Sequence, residues 1–262
     1  MASLPADLHL WNATDVRRSD WSTCAHLLAT LKPPADSTSY TLDPELHFLL
    51  SEAYIDYLTS KGDYSAAYTE ISKLAQSLKE DNADILQRIT VLLMKADLFR
   101  KLGKPEHGFS VALRAASVAY KARLMPSLWF AVGLLANILN GLGECASAKR
   151  LLEAVLPQSV ENGDNMLCGT LYSHLGDSYM GIADPAKCTE ARLRQGYIAK
   201  AELYIDRARD CFKKSSFLDG ECEQLMKKAI IAKLRGDEKL AEEWAQNHNR
   251  VWEEGMRRIE QA

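Results

Sequence analysis

The sequence predicts an all-α fold, a right-handed α-solenoid of helix pairs with a repeat length of about 40 residues. Turn formers are sparse, with 14 glycines and 8 prolines in 262 residues, which favours long helices over many short elements. The glycines also act as rulers. Lys61-Gly62-Asp63, Leu102-Gly103-Lys104, Leu142-Gly143-Glu144 and Arg235-Gly236-Asp237 each stand between two stretches of helical apolar pattern. Gly62 to Gly103 is 41 residues and Gly103 to Gly143 is 40. A further 40 lands on Ala183, and Ala183 to Gly236 is 53, one period plus an insertion of 13 placed within Asp184 to Gly196.

Taken in order, the elements begin with a partial repeat from Ser19-Asp20-Trp21 to Leu31 and a proline-containing linker, Lys32 to Asp43, which together make residues 1–43. The solenoid then spans 44–262, with helix pairs expected near 44–79, 83–123, 126–160, 165–216 with the inserted loop, and 218–260. Glycine suits the left-handed residue just past a helix C-terminus, and Asp63 and Asp237 can cap the free amides of the helices that follow.

Aligning the joints exposes two columns. Seven residues before each turn stand Ile55, Ala96, Ala136, Gly176 and Ala229, and five residues after it stand Ala67, Gly108, Ala148 and Ala241, joined by Ala201 once the insertion is removed. Small side chains at these depths let helices approach closely. This arrangement resembles tetratricopeptide repeats (TPR), and the fourth unit carries the signature best, with Tyr172, Leu175, Gly176 and Tyr179 spaced as the first-helix aromatic-x-x-Leu-Gly-x-x-Tyr pattern. The resemblance implies that each pair buries its apolar face against its neighbours; the longer unit adds nearly a turn per helix.

Composition narrows the function. Thirty-two basic against 35 acidic side chains give a formal charge of −3, which argues against nucleic-acid binding. The six cysteines never fall as Cys-x-x-Cys and read as reduced thiols. Met1 to Leu10 has no basic start and the longest apolar run, Leu128 to Ala136, is nine residues, so neither a leader nor a membrane span is expected and the location expected is nucleus and cytoplasm. The acceptor-like Asn12-Ala13-Thr14 carries no meaning without secretion. No metal site is expected, because the six histidines are scattered and the one close pair, Cys24-Ala25-His26, points to different sides of a helix. No phosphate loop, nucleophile elbow or kinase signature occurs, so no catalytic residue, cofactor or small-molecule substrate is expected. Lys213-Lys214, Lys227-Lys228, Lys233 and Arg257-Arg258 alternate with Glu221, Glu223, Glu242 and Glu253 and are expected to form a solvated mixed face.

The candidate binding residues are Asp56, Asp97, Asn137 and Asp177, six positions before the first four turns, a column that the resemblance to tetratricopeptide repeats implies lies on the groove-facing side of the first helix. Two readings stay open: the side chains bond neighbouring helices, or they accept hydrogen bonds from a basic or extended partner segment laid along the groove. Capture of a partner's C-terminal carboxylate, as in chaperone-cochaperone repeats, is not expected. The corresponding positions here are Glu52 and Asp56 in one repeat and Phe130 and Leu134 two repeats on, and two acids repel a carboxylate.

The runs 134–143 (LLANILNGLG), 148–157 (AKRLLEAVLP) and 161–164 (ENGD), followed by 201–208 (AELYIDRA), 211–214 (CFKK) and 229–237 (AIIAKLRGD), resemble the C-terminal repeats of the anaphase-promoting complex subunit 5 family. An inserted loop in that late repeat is also a family feature. The resemblance covers about residues 85–250. It implies a non-catalytic platform subunit of a multisubunit ubiquitin ligase that controls cell-cycle progression, with subunits 1 and 4 and neighbouring TPR subunits as partners. A free-standing adaptor that binds peptide segments in its concave groove is the alternative. The family carries a further N-terminal domain and more repeats, so a C-terminal piece is the expectation.

Overall fold

The computed structural model describes residues 44–78 and 84–261. The expectations for residues 1–43, including Asn12, Cys24 and His26, lie outside the described residues. The chain divides into two compact units between Ala131 and Val132. Among the described residues the secondary structure is ten helices: α1 Pro44–Ser60, α2 Tyr64–Ser77, α3 Ile85–Lys101, α4 Pro105–Lys121, α5 Met125–Gly141, α6 Cys145–Asn162, α7 Asn165–Ile182, α8 Ala191–Lys214, α9 Leu218–Leu234 and α10 Glu238–Gln261. The odd-numbered helices are the first members of pairs and the even-numbered ones the second, and the division falls inside α5.

The glycine joints adopt one geometry. Gly62, Gly103, Gly143 and Gly236 all have left-handed backbone, with φ between +70° and +81°. In each joint the residue after the glycine donates back across the turn, as Asp63 N–H does to the Leu58 carbonyl at 2.9 Å and Glu144 N–H to Leu139 at 2.9 Å. These bonds satisfy carbonyls that a helix end would otherwise strand. Asp63 and Asp237 then cap α2 and α10 through Oδ1, accepting from Ala66 N–H at 3.1 Å and Leu240 N–H at 3.0 Å. Two joints between pairs use the same turn without glycine: Arg123 (φ 57°) and Ser216 (φ 54°).

The fourth joint is different. Ala183 to Glu190 separates α7 from α8, and α8 has 24 residues where α2, α4 and α6 have 14, 17 and 18. The extra residues are thus divided between a longer joint and a longer helix. Asp184 organises the joint, its carbonyl accepting from the Lys187 and Cys188 amides at 2.8 Å and its side chain from the Ala186 amide at 2.9 Å. Lys187 Nζ reaches back 44 positions to the Gly143 carbonyl at 3.0 Å, tying one joint to the preceding one.

All ten positions of the two small-residue columns are buried. At Gly176 of α7 a Cβ atom would stand 2.8 Å from Ile205 Cγ1 and 3.5 Å from the Ala201 carbonyl, so the first column meets the second at backbone contact distance. The core of the 44–131 unit gathers Phe48, Ile55, Leu58, Ala67, Ile71, Leu74, Val91 and Leu98. In the 132–261 unit Leu171, Leu175, Ile198, Ile205, Leu225 and Ile231 are almost wholly excluded from solvent.

Candidate functional site

The four sequence-selected residues are each half-buried, one position beyond a buried column residue. Asp56 and Asp97 lie on α1 and α3 of one unit; Asn137 and Asp177 lie on α5 and α7 of the other. Asp97 pairs within its own helix, with Arg100 at 2.7 Å and Lys101 at 2.9 Å. Burial would raise its carboxyl, but the two cations outweigh that and hold it below the usual carboxylate range.

Asp177 is engaged across helices. Lys227 of α9 donates from Nζ to Asp177 Oδ2 at 2.8 Å and to Ser173 Oγ at 2.7 Å, and it pairs with Glu223 at 2.9 Å. His174 Nδ1 stands 3.7 Å from the same Asp177 oxygen. One pair earlier, Asn140 of α5 donates from Nδ2 to the His174 carbonyl at 3.0 Å and accepts from Ser178 Oγ at 2.9 Å. A continuous polar seam therefore links the first helices α5, α7 and α9. Sequence reasoning selected Asp177 but not Asn140, Ser173, Ser178 or Lys227.

Lys227 and Lys228 correct the expectation of a solvated mixed face, because they are only 8% and 9% exposed. Neighbours in sequence, they point apart. Lys227 joins the seam, while Lys228 bonds Asp206 of α8 at 2.6 Å and sits 4.2 Å above the Trp244 ring of α10. Both ammonium groups leave water, and both find a carboxylate, which is the condition for tolerating a buried charge.

The Ser173–Lys227 contact resembles a nucleophile–base pair, but the electrostatics work against that use. A lysine base must be neutral. Burial pushes Lys227 down, but Asp177 and Glu223 outweigh it and hold the ammonium above its ordinary value, so Lys227 donates to Ser173 and does not accept its proton. Burial would raise Asp177, yet the adjacent His174 ring and the Lys227 ammonium, which donates to it, keep it below the usual carboxylate range. Burial pushes the Cys145, Cys168 and Cys211 thiols up, away from the reactive thiolate. Among the described residues no group of three His, Cys, Asp or Glu side chains is placed to hold a metal ion. No described helix is long and apolar enough to cross a membrane.

The signature tyrosines form a second cluster. Tyr172 and Tyr179 of α7 alternate with Tyr204 and Tyr197 of α8, with ring centroids 5.6 to 6.2 Å apart. Lys149 and Lys200 stand 5.6 and 5.5 Å from the Tyr179 ring centroid, and its hydroxyl donates to Glu153 of α6 at 2.9 Å. Burial first, and then Glu153, push that phenol up beyond any physiological titration. The cluster locks α6, α7 and α8 together.

No protein-family model matches the chain, and no curated protein sequence matches it. Solved structures do. A Rap protein complexed with Competence and Sporulation Factor superposes with a TM-score of 0.68 at 14% identity, over 88% of this chain and 59% of that one. BtubC (BKLC) from P. vanneervenii gives 0.58 at 14% identity, over 88% and 85%. A putative kinesin light chain with nearly identical TPR-like repeats, from Podospora anserina, gives 0.56 at 12% identity, over 83% and 100%. The chain thus has a TPR-like helical repeat fold, as its sequence predicts.

Proposed function

We propose that this chain is a non-catalytic interaction scaffold, and that it serves as a platform subunit of the anaphase-promoting complex in the manner of the subunit 5 family. The observation that carries the scaffold reading is the seam. Groups that capture an extended peptide need free hydrogen-bonding capacity, whereas Asn140, Ser178, Asp177 and Lys227 use theirs on one another and fix helix against helix. Helices fixed in this way offer their outer faces instead. Leu193 and Leu203 on α8 in one unit, and Leu113 and Tyr120 on α4 in the other, are close to half exposed or more, and apolar side chains presented this way suit broad protein docking.

The runs quoted between residues 134 and 237 support the specific family, and subunits 1 and 4 and neighbouring TPR subunits are the proposed partners, in nucleus and cytoplasm. Affinity capture of the chain from cell extract, followed by mass spectrometry, tests this. Recovery of those large subunits in stoichiometric amount is expected. Recovery of none of them overturns the family assignment. Tight binding of a short peptide along α5, α7 and α9, with no large partner, would favour the adaptor alternative, in which the Asp56, Asp97, Asn137 and Asp177 column captures a segment in the groove.

A further inference from the structure

The 132–261 unit carries a cleft whose lining includes none of the seam residues. It lies where the C-terminal turns of α8 and α10 flank the first turn of α9, and it encloses about 630 Å³, within the range that holds a few side chains or a small ligand. Two glycines bring the walls together. A Cβ on Gly255 of α10 would lie 2.3 Å from Leu218 Cδ2, and one on Gly220 of α9 would lie 2.4 Å from Phe217 Cδ1 and 2.7 Å from Phe212 Cγ. Phe212, Phe217, Leu218 and Val251 give the lining its apolar part.

The charges in the wall are unbalanced. Arg209, Lys213, Arg250 and Arg258 line it against only Glu221 and Glu254, in a chain whose formal charge is −3. Glu221 already serves two cations, Arg209 at 3.2 Å and Lys213 at 3.6 Å, and Arg250 donates to a neutral amide oxygen, Asn247 Oδ1, at 2.8 Å. The sequence reading missed this concentration because, along the chain, the same residues alternate with acids.

From the apolar floor and the cationic rim we infer that this cleft docks an acidic peptide segment carrying an aromatic or leucine anchor. The anchor fills the space over Phe217 and Val251, and carboxylates meet Arg250, Arg258 and Lys213. Rim charges of this kind set orientation and on-rate, while the buried anchor sets residence time. No cleft residue belongs to the seam, so the inference stands or falls apart from the platform role.

The test uses the full chain and a fluorescein-labelled peptide of about twelve residues, Asp and Glu with one Phe and one Leu, read by fluorescence anisotropy. Three comparison probes are the same peptide with Asn and Gln for the acids, the same peptide with Ser for Phe and Leu, and heparin. The acidic anchored peptide is expected to bind with a Kd of about 1–100 μM, weakening as salt rises. The neutral and anchorless peptides should each bind about tenfold or more weakly, and an Arg250→Glu/Arg258→Glu double variant should lose a similar factor while keeping its Tm, since both side chains are exposed. Absence of binding, equal binding of the neutral peptide, equal binding of the anchorless peptide or heparin, or an unaffected double variant would each overturn the inference.

Discussion

Asp97 and Asp177 occupy the same position of the repeat in different units, and they do different work. Asp97 is held by Arg100 and Lys101, three and four residues on in its own helix. Asp177 is held by Lys227, fifty residues on in the next first helix but one pair along. The first arrangement decorates a helix and the second clamps two repeats. What decides between them is the neighbour: α9 supplies a cation at 10% side-chain exposure aimed at α7, so the column residue there becomes part of the packing.

The comparison is sharpest in stability. Asp177→Ala leaves the Lys227 ammonium buried with only Glu223 as counter-charge, and should cost about 2–4 kcal/mol, whereas Asp97→Ala, in a half-exposed i,i+3/i+4 pair, should cost under about 1 kcal/mol. Urea titration of both variants checks this; equal losses would dissolve the distinction. Asp177→Leu/Lys227→Met, which removes both charges, should recover much of the loss.

Next in size, Ala148→Leu overpacks a second-column site that has no exposed surface, at a cost of about 1–3 kcal/mol. An unchanged Tm would show that the column there is not a close-approach site.

The pH dependence should separate the same two carboxylates. Both are depressed in the folded chain, so each contributes stability above its unfolded value near 3.8 and loses it as pH falls through the folded value. Lys227 is raised, so its contribution is complete below 10.5 and fades only as pH climbs past the folded value. Between these limits neither of these contributions changes with pH. Asp177→Asn should flatten the acid fall in Tm more than Asp97→Asn, as thermal melts below pH 4 would reveal.

The smallest effects belong to the joints. Gly103→Ala, at φ +70° with open space around the new methyl, should cost about 1 kcal/mol from backbone strain alone. Ser216→Gly, at φ 54°, should gain a few tenths of a kcal/mol to about 1 kcal/mol. Chemical denaturation measures both, and a loss in the second would mean the hydroxyl does more than the backbone requires.

Much of the fold was legible because repeats write local features at fixed spacing. Gly62, Gly103, Gly143 and Gly236 announce left-handed turns by residue type alone, and Asp63 and Asp237 announce caps. Arg123 and Ser216 adopt the same turn but carry no such mark, since tertiary packing overrides their preference. The insertion's presence follows from counting, yet its split into a joint and extra turns of α8 depends on Asp184 bonding its own loop and on Lys187 reaching Gly143. The seam and the cleft were hidden for one reason. Their partners lie 50 and more than 30 residues apart, and Lys227 looks from sequence like any other lysine among glutamates. The Asp56, Asp97, Asn137 and Asp177 column was found by alignment, but alignment does not say which member has a cation waiting for it.

The fifty-residue reach of Lys227 also sets an order of events at birth. A ribosome adding about 5–20 residues per second needs roughly 3 to 10 seconds to travel from Asp177 to Lys227. For that interval α7 can meet α6 while one wall of its carboxylate has yet to be made, so the nascent chain exposes an anionic edge that only the arrival of α9 extinguishes. Vectorial synthesis thus delays the closing of this clamp until α7 and α8 have already been made.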